Sequence, residues 1–201
     1  MKNGHKNDTL EFRRKIFHIL VGLFFVGLIY LDLIGVLGIL IIFLLGLFLS
    51  LIVKRRNVPV ISYMLNLFER EKDKKTVPGK GALFIMLGFT LSLVLFPKDV
   101  AMAAIIILTV GDGLSHLVGR FSGAMPHPLN ANKMIEGTIV GTFFAFLSAM
   151  IFVNPIEAFF AAGIAMGFEA VEWKIWGQET IDDNLIVPVI AGIVIILMRI
   201  L

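Results

Sequence analysis

Asp112, Ser115, His116, Gly119 and Arg120 recur at i, i+3, i+4, i+7 and i+8, so on a helix they share one face. They carry an acid, a hydroxyl, an imidazole and a guanidinium in a chain that is 58% apolar and only 16% charged. Charge beside hydrocarbon is costly, so a polar cluster in such a setting is a functional-site candidate. Downstream come Lys133, Glu136, Gly137 and Thr138, then Glu169 with Glu172 one turn later, then Asp182, Asp183 and Asn184. Carboxylates of this kind hold Mg²⁺ through one or two oxygens while substrate phosphates supply others. Lys133, Arg120 and Lys80 suit phosphate oxygens, and helix N-termini add dipoles of the right sign. This is equipment for phosphoryl or nucleotidyl transfer, where the protein positions and neutralises charge. Some of these residues also have plainer readings. Asp182 and Asp183 could be helix caps, His116 a packing residue, and His18 an interface anchor.

These groups need elements to hold them, and the apolar pattern supplies membrane helices. Seven apolar stretches stand out, at 16–31, 33–53, 81–96, 100–118, 135–153, 156–171 and 185–201. The second is long enough to cross a hydrocarbon core of about 30 Å. With the N-terminus cytoplasmic, sixteen of the eighteen Lys/Arg fall on the inner side, and only Lys98 and Arg199 fall outside. The expected fold is therefore an all-α integral membrane protein, one polytopic domain over 1–201. It has seven spans, N-terminus in and C-terminus out. Residues 1–10 are polar and lead straight into a full span, unlike a cleavable signal.

With this topology the unusual polar groups gather at the inner ends of spans four to seven. The inner loop 54–80 contains Val58, Ile61, Met64, Leu65 and Phe68 at helical spacing, which predicts a short interfacial helix. The run 69–75 reads as a solvated turn, and 122–131, with Pro126 and Pro128, as an irregular loop. Asn132, Lys133 and Glu136 are expected to open span five. Val77-Pro78-Gly79-Lys80-Gly81 lacks the Gly-Lys-Ser/Thr of a Walker A loop, yet places Lys80 at a helix start. The absence of cysteine excludes disulfides and thiolate chemistry. The single glutamine, Gln178, leans towards a thermophile. The net charge of +3 reflects inner-face cations that attract anionic lipid, and no nucleic-acid module or internal repeat is visible.

The chain resembles the CTP-dependent lipid-alcohol kinases, which comprise dolichol (polyprenol) and phytol kinases, and within them a compact prokaryotic or archaeal member. The likeness begins at Arg14-Lys15-x-x-His18. It centres on Gly111-Asp112-Gly113 with Gly119-Arg120 and Gly123, then Lys133-x-x-Glu136-Gly137-Thr138. It closes with Glu169 and Asp182-Asp183-Asn184 followed by Pro188. Glu136-Gly137-Thr138 looks more like dolichol kinases, and the Asp-Asn-x-x-x-Pro ending more like phytol kinases.

The resemblance implies transfer of the γ-phosphoryl of CTP, with Mg²⁺, to a long isoprenoid alcohol in the bilayer. The site would face the cytoplasm of the cell membrane, or of an ER-type membrane in a eukaryote. Asp112 and one of Glu169, Asp182 or Asp183 would hold the metal. Lys133, Arg120 and Lys80 would neutralise the triphosphate. Gly111, Gly113, Gly137, Thr138 and Asn184 would cradle it, and Asn130 or Asn132 would read the base. Glu136 joins the catalytic set, and a carboxylate or His116 would take the hydroxyl proton. Phosphatidate cytidylyltransferases share a Gly-Asp and a Lys-x-x-Glu-Gly segment, which leaves CMP transfer as the alternative. A small ion-coupled transporter is a second alternative, disfavoured because the acids lie at span ends without a repeat.

Overall fold

The computed structural model describes the chain except residues 1, 57, 172–173, 176–178 and 181, and except the side chains of 2–7, 174–175 and 179–180. Glu172 thus lies outside the described residues. Among the described residues ten α-helices and two short antiparallel ladders follow one another. They are α1 (Lys2–Tyr30), α2 (Val36–Arg55), α3 (Pro59–Phe68), α4 (Glu71–Thr76), α5 (Lys80–Leu95), α6 (Lys98–Ile106), a π-helical stretch Ile107–Asp112, and α7 (Gly113–Ser122). The ladder β1 (Pro126–His127) with β2 (Asn130–Met134) precedes α8 (Ile135–Ala149) and α9 (Pro155–Glu169). The ladder β3 (Lys174–Ile175) with β4 (Glu179–Thr180) precedes α10 (Asp183–Ile200).

α6, the π stretch and α7 form one helix through the centre of the bundle, contacted by α1, α5, α8, α9 and α10. Ala101, Ala103, Ala104 and Gly111 let neighbours come close, and a Cβ on Gly111 would meet Met166 Sδ at 2.6 Å. Small residues are the usual means of helix approach where lipid removes the hydrophobic drive. The π stretch ends on Asp112, so the helix widens by one residue where its charge begins. α10 carries Pro188 inside its first turns, which removes the N–H that would pair with the Asn184 carbonyl. Gly88 of α5 fits there, where a Cβ would stand 2.1 Å from that carbonyl oxygen.

Among the described residues three helices are long and apolar enough to cross a membrane: Val36–Arg55, Lys98–Ser122 and Asp183–Ile200. α2 packs mainly on α5 and leaves Leu37, Ile41, Phe48 and Leu51 exposed. Phe143 and Leu147 of α8 and Phe159 of α9 are exposed too. An apolar belt of this extent belongs against lipid rather than water.

The structure amends three sequence expectations. The run 69–75 is no solvated turn: it contains α4, and Glu69 before it is buried, accepting the Gly79 N–H at 2.8 Å. Gly79 itself is left-handed (φ 81), which explains the glycine. The loop 122–131 is not wholly irregular, because Pro126–His127 pairs with β2. Asn132 and Lys133 therefore lie on a strand, and the helix opens only at Ile135. A short helix is present in the loop 54–80 as expected, α3, held to α1 by Phe68 stacked on Phe17.

Candidate functional site

A polar cavity of about 730 Å³ lies at the end of the bundle where the π stretch, α9 and α10 present Asp112, Glu169 and Asp183. Asp112 forms its floor from the end of the π stretch and is almost completely buried. Lys15 of α1 donates to Asp112 Oδ2 at 2.7 Å, and His18, one turn on, brings Nε2 within 3.7 Å of the same oxygen. His116, one turn after Asp112, places Nε2 3.5 Å from Asp112 Oδ1 and 4.0 Å from Glu169 Oε1. Glu169 is the last residue of α9 and fully buried; Asp183 begins α10.

Lys133 reaches these last two acids from β2. Its Nζ lies 2.6 Å from Glu169 Oε1 and 3.3 Å from Asp183 Oδ2, and it also donates to the Glu169 carbonyl. Burial works against the ammonium, but Glu169 and Asp183 outweigh it and hold Lys133 above its ordinary range. Asp112, His116, Glu169 and Asp183 each offer a ligand atom within 4.8 Å of the others, which is metal-binding spacing. Glu169 Oε2 is buried with no hydrogen-bond partner among the described residues. A buried carboxylate oxygen is rarely left so, and a cation is the simplest partner for it.

The rim is basic. Arg70, just before α4, grips Glu11 of α1 with Nε–Oε1 at 2.6 Å and Nη2–Oε2 at 2.9 Å, and Arg14 shares the same carboxylate. Burial would raise the Glu11 carboxyl, but the Arg70 hydrogen bond and the charges of Arg14 and Arg70 hold it down to about 2. Lys72, Asp73 and Lys80 complete that side of the cavity. Glu69, behind them, is pushed up by burial and held back by the backbone N–H groups of Gly79 and Lys80.

The structure brings most of the expected residues together. Asp112, His116, Lys133, Glu169, Asp182, Asp183, Asn184, Lys80, Arg120, Asn130 and Asn132 all line the cavity. Within that set, Asp182 is committed to capping: its Oδ1 accepts from the Asn184 N–H at 3.1 Å. Arg120 shares its rim position with an ion pair to Asp8 at 2.7 Å. Asn130 Oδ1 accepts from the Asn132 N–H within the start of β2.

Five expected residues are not in the lining. Glu136 turns back to accept from the N–H groups of Ala124 and Met125, bracing the loop before β1. Gly111, Gly113 and Gly137 are helix-contact glycines; a Cβ at Gly137 would stand 2.3 Å from the Ser115 carbonyl, and one at Gly113 would meet Ile19. Thr138 Oγ1 is buried without a hydrogen-bond partner among the described residues. Conversely, Lys15, Arg14, Glu11 and Arg70 were missed as site residues. Their signal was present, since Glu11, Arg14, Lys15 and His18 keep helical spacing at the head of span one.

The chain is 32% identical over 154 residues to an uncharacterized protein of Methanocaldococcus jannaschii, covering 75% of this chain and 73% of that one. It is 25% identical over 157 residues to the CTP-dependent diacylglycerol kinase 1 of Schizosaccharomyces pombe, covering 69% and 70%. The chain belongs to the CTP-dependent lipid-alcohol kinases. Another relative in this kinase family is the chloroplastic farnesol kinase of Arabidopsis thaliana, 28% identical over 156 residues, of which the match covers 48%. No family model matches the chain, and no solved structure does either.

Proposed function

We propose that this protein transfers the γ-phosphoryl group of CTP to the hydroxyl of a long-chain isoprenoid alcohol, with Mg²⁺, at the cytoplasmic face of a seven-span membrane bundle. The observation that carries the proposal is the floor of the cavity. Three buried or half-buried acids from the central helix, α9 and α10 meet two lysines from α1 and β2. The relatives' names support a lipid-alcohol acceptor: they give diacylglycerol and farnesol, and farnesol is itself an isoprenoid alcohol.

In this reading Asp112, Glu169 and Asp183 would hold the metal, and Glu169 Oε2, without a hydrogen-bond partner among the described residues, is available to it. Bound Mg²⁺ would neutralise charge on the phosphate oxygens as it spreads in the transition state. Lys133 and Lys15, paired with these acids in the structure, would be available to the triphosphate when Mg²⁺ is bound. Arg14, Arg70 and Lys80 stand at the rim for its outer oxygens, where charge-assisted hydrogen bonds are strongest. His116 lines the cavity between Asp112 and Glu169, and its Nε2 accepts the proton of the acceptor hydroxyl. Leu117, Phe121 and Met134 give one wall an apolar surface for the first part of the lipid chain.

Purified protein incubated with γ-labelled or α-labelled CTP and a polyprenol decides between the readings. Label from the γ position in lipid is expected. Label from the α position on a lipid phosphate would replace kinase with cytidylyltransferase, and label from neither would refute both. A diacylglycerol preferred over polyprenol would correct the acceptor alone.

A further inference from the structure

Away from the cavity just described, a second recess of about 330 Å³ lies where α2 ends against α3 and α4. Its polar lining is Lys54, Lys74, Lys75, Ser62 and Asn66, with Leu65 beneath, and none of its lining residues is acidic. Lys54 closes the apolar run of α2, so it sits at the depth where a spanning helix leaves hydrocarbon. Its ammonium donates to the Thr76 carbonyl at 2.9 Å and has no carboxylate partner among the described contacts. Lys74 bridges Asn66 of α3 and Glu71 of α4, and Glu71 is largely exposed beside it. The outward face of α3 exposes Val60, Tyr63 and Met64, an apolar strip next to the basic recess. Apolar strip and lysines side by side match the two layers of a membrane interface.

We propose that this recess binds the phosphodiester headgroup of an anionic bilayer lipid, distinct from the substrate lipid, and that the headgroup fastens α4. Charge complementarity selects the occupant: three lysines, of which Lys74 alone has a carboxylate partner among the described residues, the exposed Glu71, would meet a headgroup phosphate at the level where α2 leaves the bilayer. The consequence reaches the active site because α4 serves both places. Lys74 and Lys75 line the recess, whereas Lys72 and Asp73 of the same short helix line the catalytic cavity, and Arg70 at its head clasps Glu11. A headgroup that ties α4 to Lys54 of α2 therefore steadies one wall of the cavity. This second step rests on the kinase reading above; the binding step does not.

Lys54 and Lys75 are tested together as Lys54→Gln/Lys75→Gln, since neither lines the catalytic cavity. Binding is read first, by native mass spectrometry of detergent-purified protein titrated with phosphatidylglycerol or phosphatidylcholine. The parent protein is expected to retain phosphatidylglycerol selectively. The variant should lose about five-fold in affinity per lysine neutralised, the equivalent of ~1 kcal/mol each. Equal retention of the two lipids by the parent, or unchanged affinity in the folded variant, overturns the site. Inorganic phosphate at millimolar concentration is the third arm; displacement of the lipid by it would show a soluble-anion site instead and overturn the lipid assignment. Turnover is read second, in nanodiscs of phosphatidylcholine with and without phosphatidylglycerol. Stimulation in the parent that is lost in the variant, with equal turnover of both in pure phosphatidylcholine, supports coupling through α4. Binding without stimulation overturns the coupling, and no turnover under any condition counts against the kinase reading instead.

Discussion

Replacing Lys133 with methionine removes the cation that lies between two acids while keeping most of its aliphatic stem. In the parent, Lys133 Nζ is 2.6 Å from Glu169 Oε1 and 3.3 Å from Asp183 Oδ2. Glu169 is fully buried, so the substitution leaves a carboxylate with neither water nor counter-ion. Breaking a buried pair on one side costs about 3–5 kcal/mol. In a chain of this size each kcal/mol moves the melting point by about 2–4 °C, so a fall of about 6–20 °C is expected. Thermal unfolding in mild detergent, followed by circular dichroism, reads the shift. The same arrangement predicts a rescue. Millimolar Mg²⁺ should recover more stability in Lys133→Met than it adds to the parent, because a divalent cation replaces the missing charge. Kinase turnover should stay low even then, since the Lys133 ammonium is missing from the triphosphate's contacts. A melting point within about 2 °C of the parent without metal would refute the burial reasoning. Equal Mg²⁺ shifts in the two proteins would refute the idea that lysine and metal share these carboxylates.

Asp112→Asn should lower turnover by at least about 10³-fold, a loss of about 4 kcal/mol in transition-state stabilisation, with the protein still extracted folded; near-parent turnover would remove Asp112 from the site. Glu11→Gln tests the rim by pH. The folded carboxyl is held to about 2 against an ordinary 4.5, so its contribution is fully present above about 4.5 and is lost as pH falls towards 2. The parent should therefore be the more stable at pH 6, with the gap to Glu11→Gln closing between pH 4.5 and 2; a constant gap would contradict the ion cluster. Gly137→Ala places a methyl 2.3 Å from the Ser115 carbonyl and should cost about 1–3 kcal/mol of stability by overpacking. Loss of CTP affinity in that variant at parent stability would instead return Gly137 to the nucleotide.

The seven apolar stretches each coincide with a helix because hydrocarbon-compatible runs and charge alternation are read directly from residue type. The acids were legible for the same reason: Asp112, Glu169 and Asp183 are costly where they stand, so their presence signals a purpose. Lys15 was less legible, since a lysine at the head of a membrane helix already has a topological explanation and only the fold shows its ammonium on Asp112. Glu136 misled in the opposite way, because its spacing from Lys133 suggested a shared helical face. The strand Asn130–Met134 breaks that periodicity, which sends Lys133 into the cavity and Glu136 back to the loop. The two ladders are short and rich in proline or polar residues, which leaves no periodic trace in so few residues. The π stretch left no trace either, as its composition is that of any buried helix.

That stretch gives the central helix two independent angular settings. Before it, Ala101, Ala104 and Ile105 lie in α6, which packs on α5 and α10; at its end and after it, Asp112, Ser115 and His116 line the cavity. One residue of slack lies between them, equal to about 100° of rotation on an α-helix. Removing a residue from 107–112 would be absorbed by that slack, whereas removing one from α6 with the π stretch intact would swing the chemical face of α7 away from Glu169 and Asp183, with every side chain of the site still present. The reactive geometry thus depends on a count of residues that no single substitution would reveal.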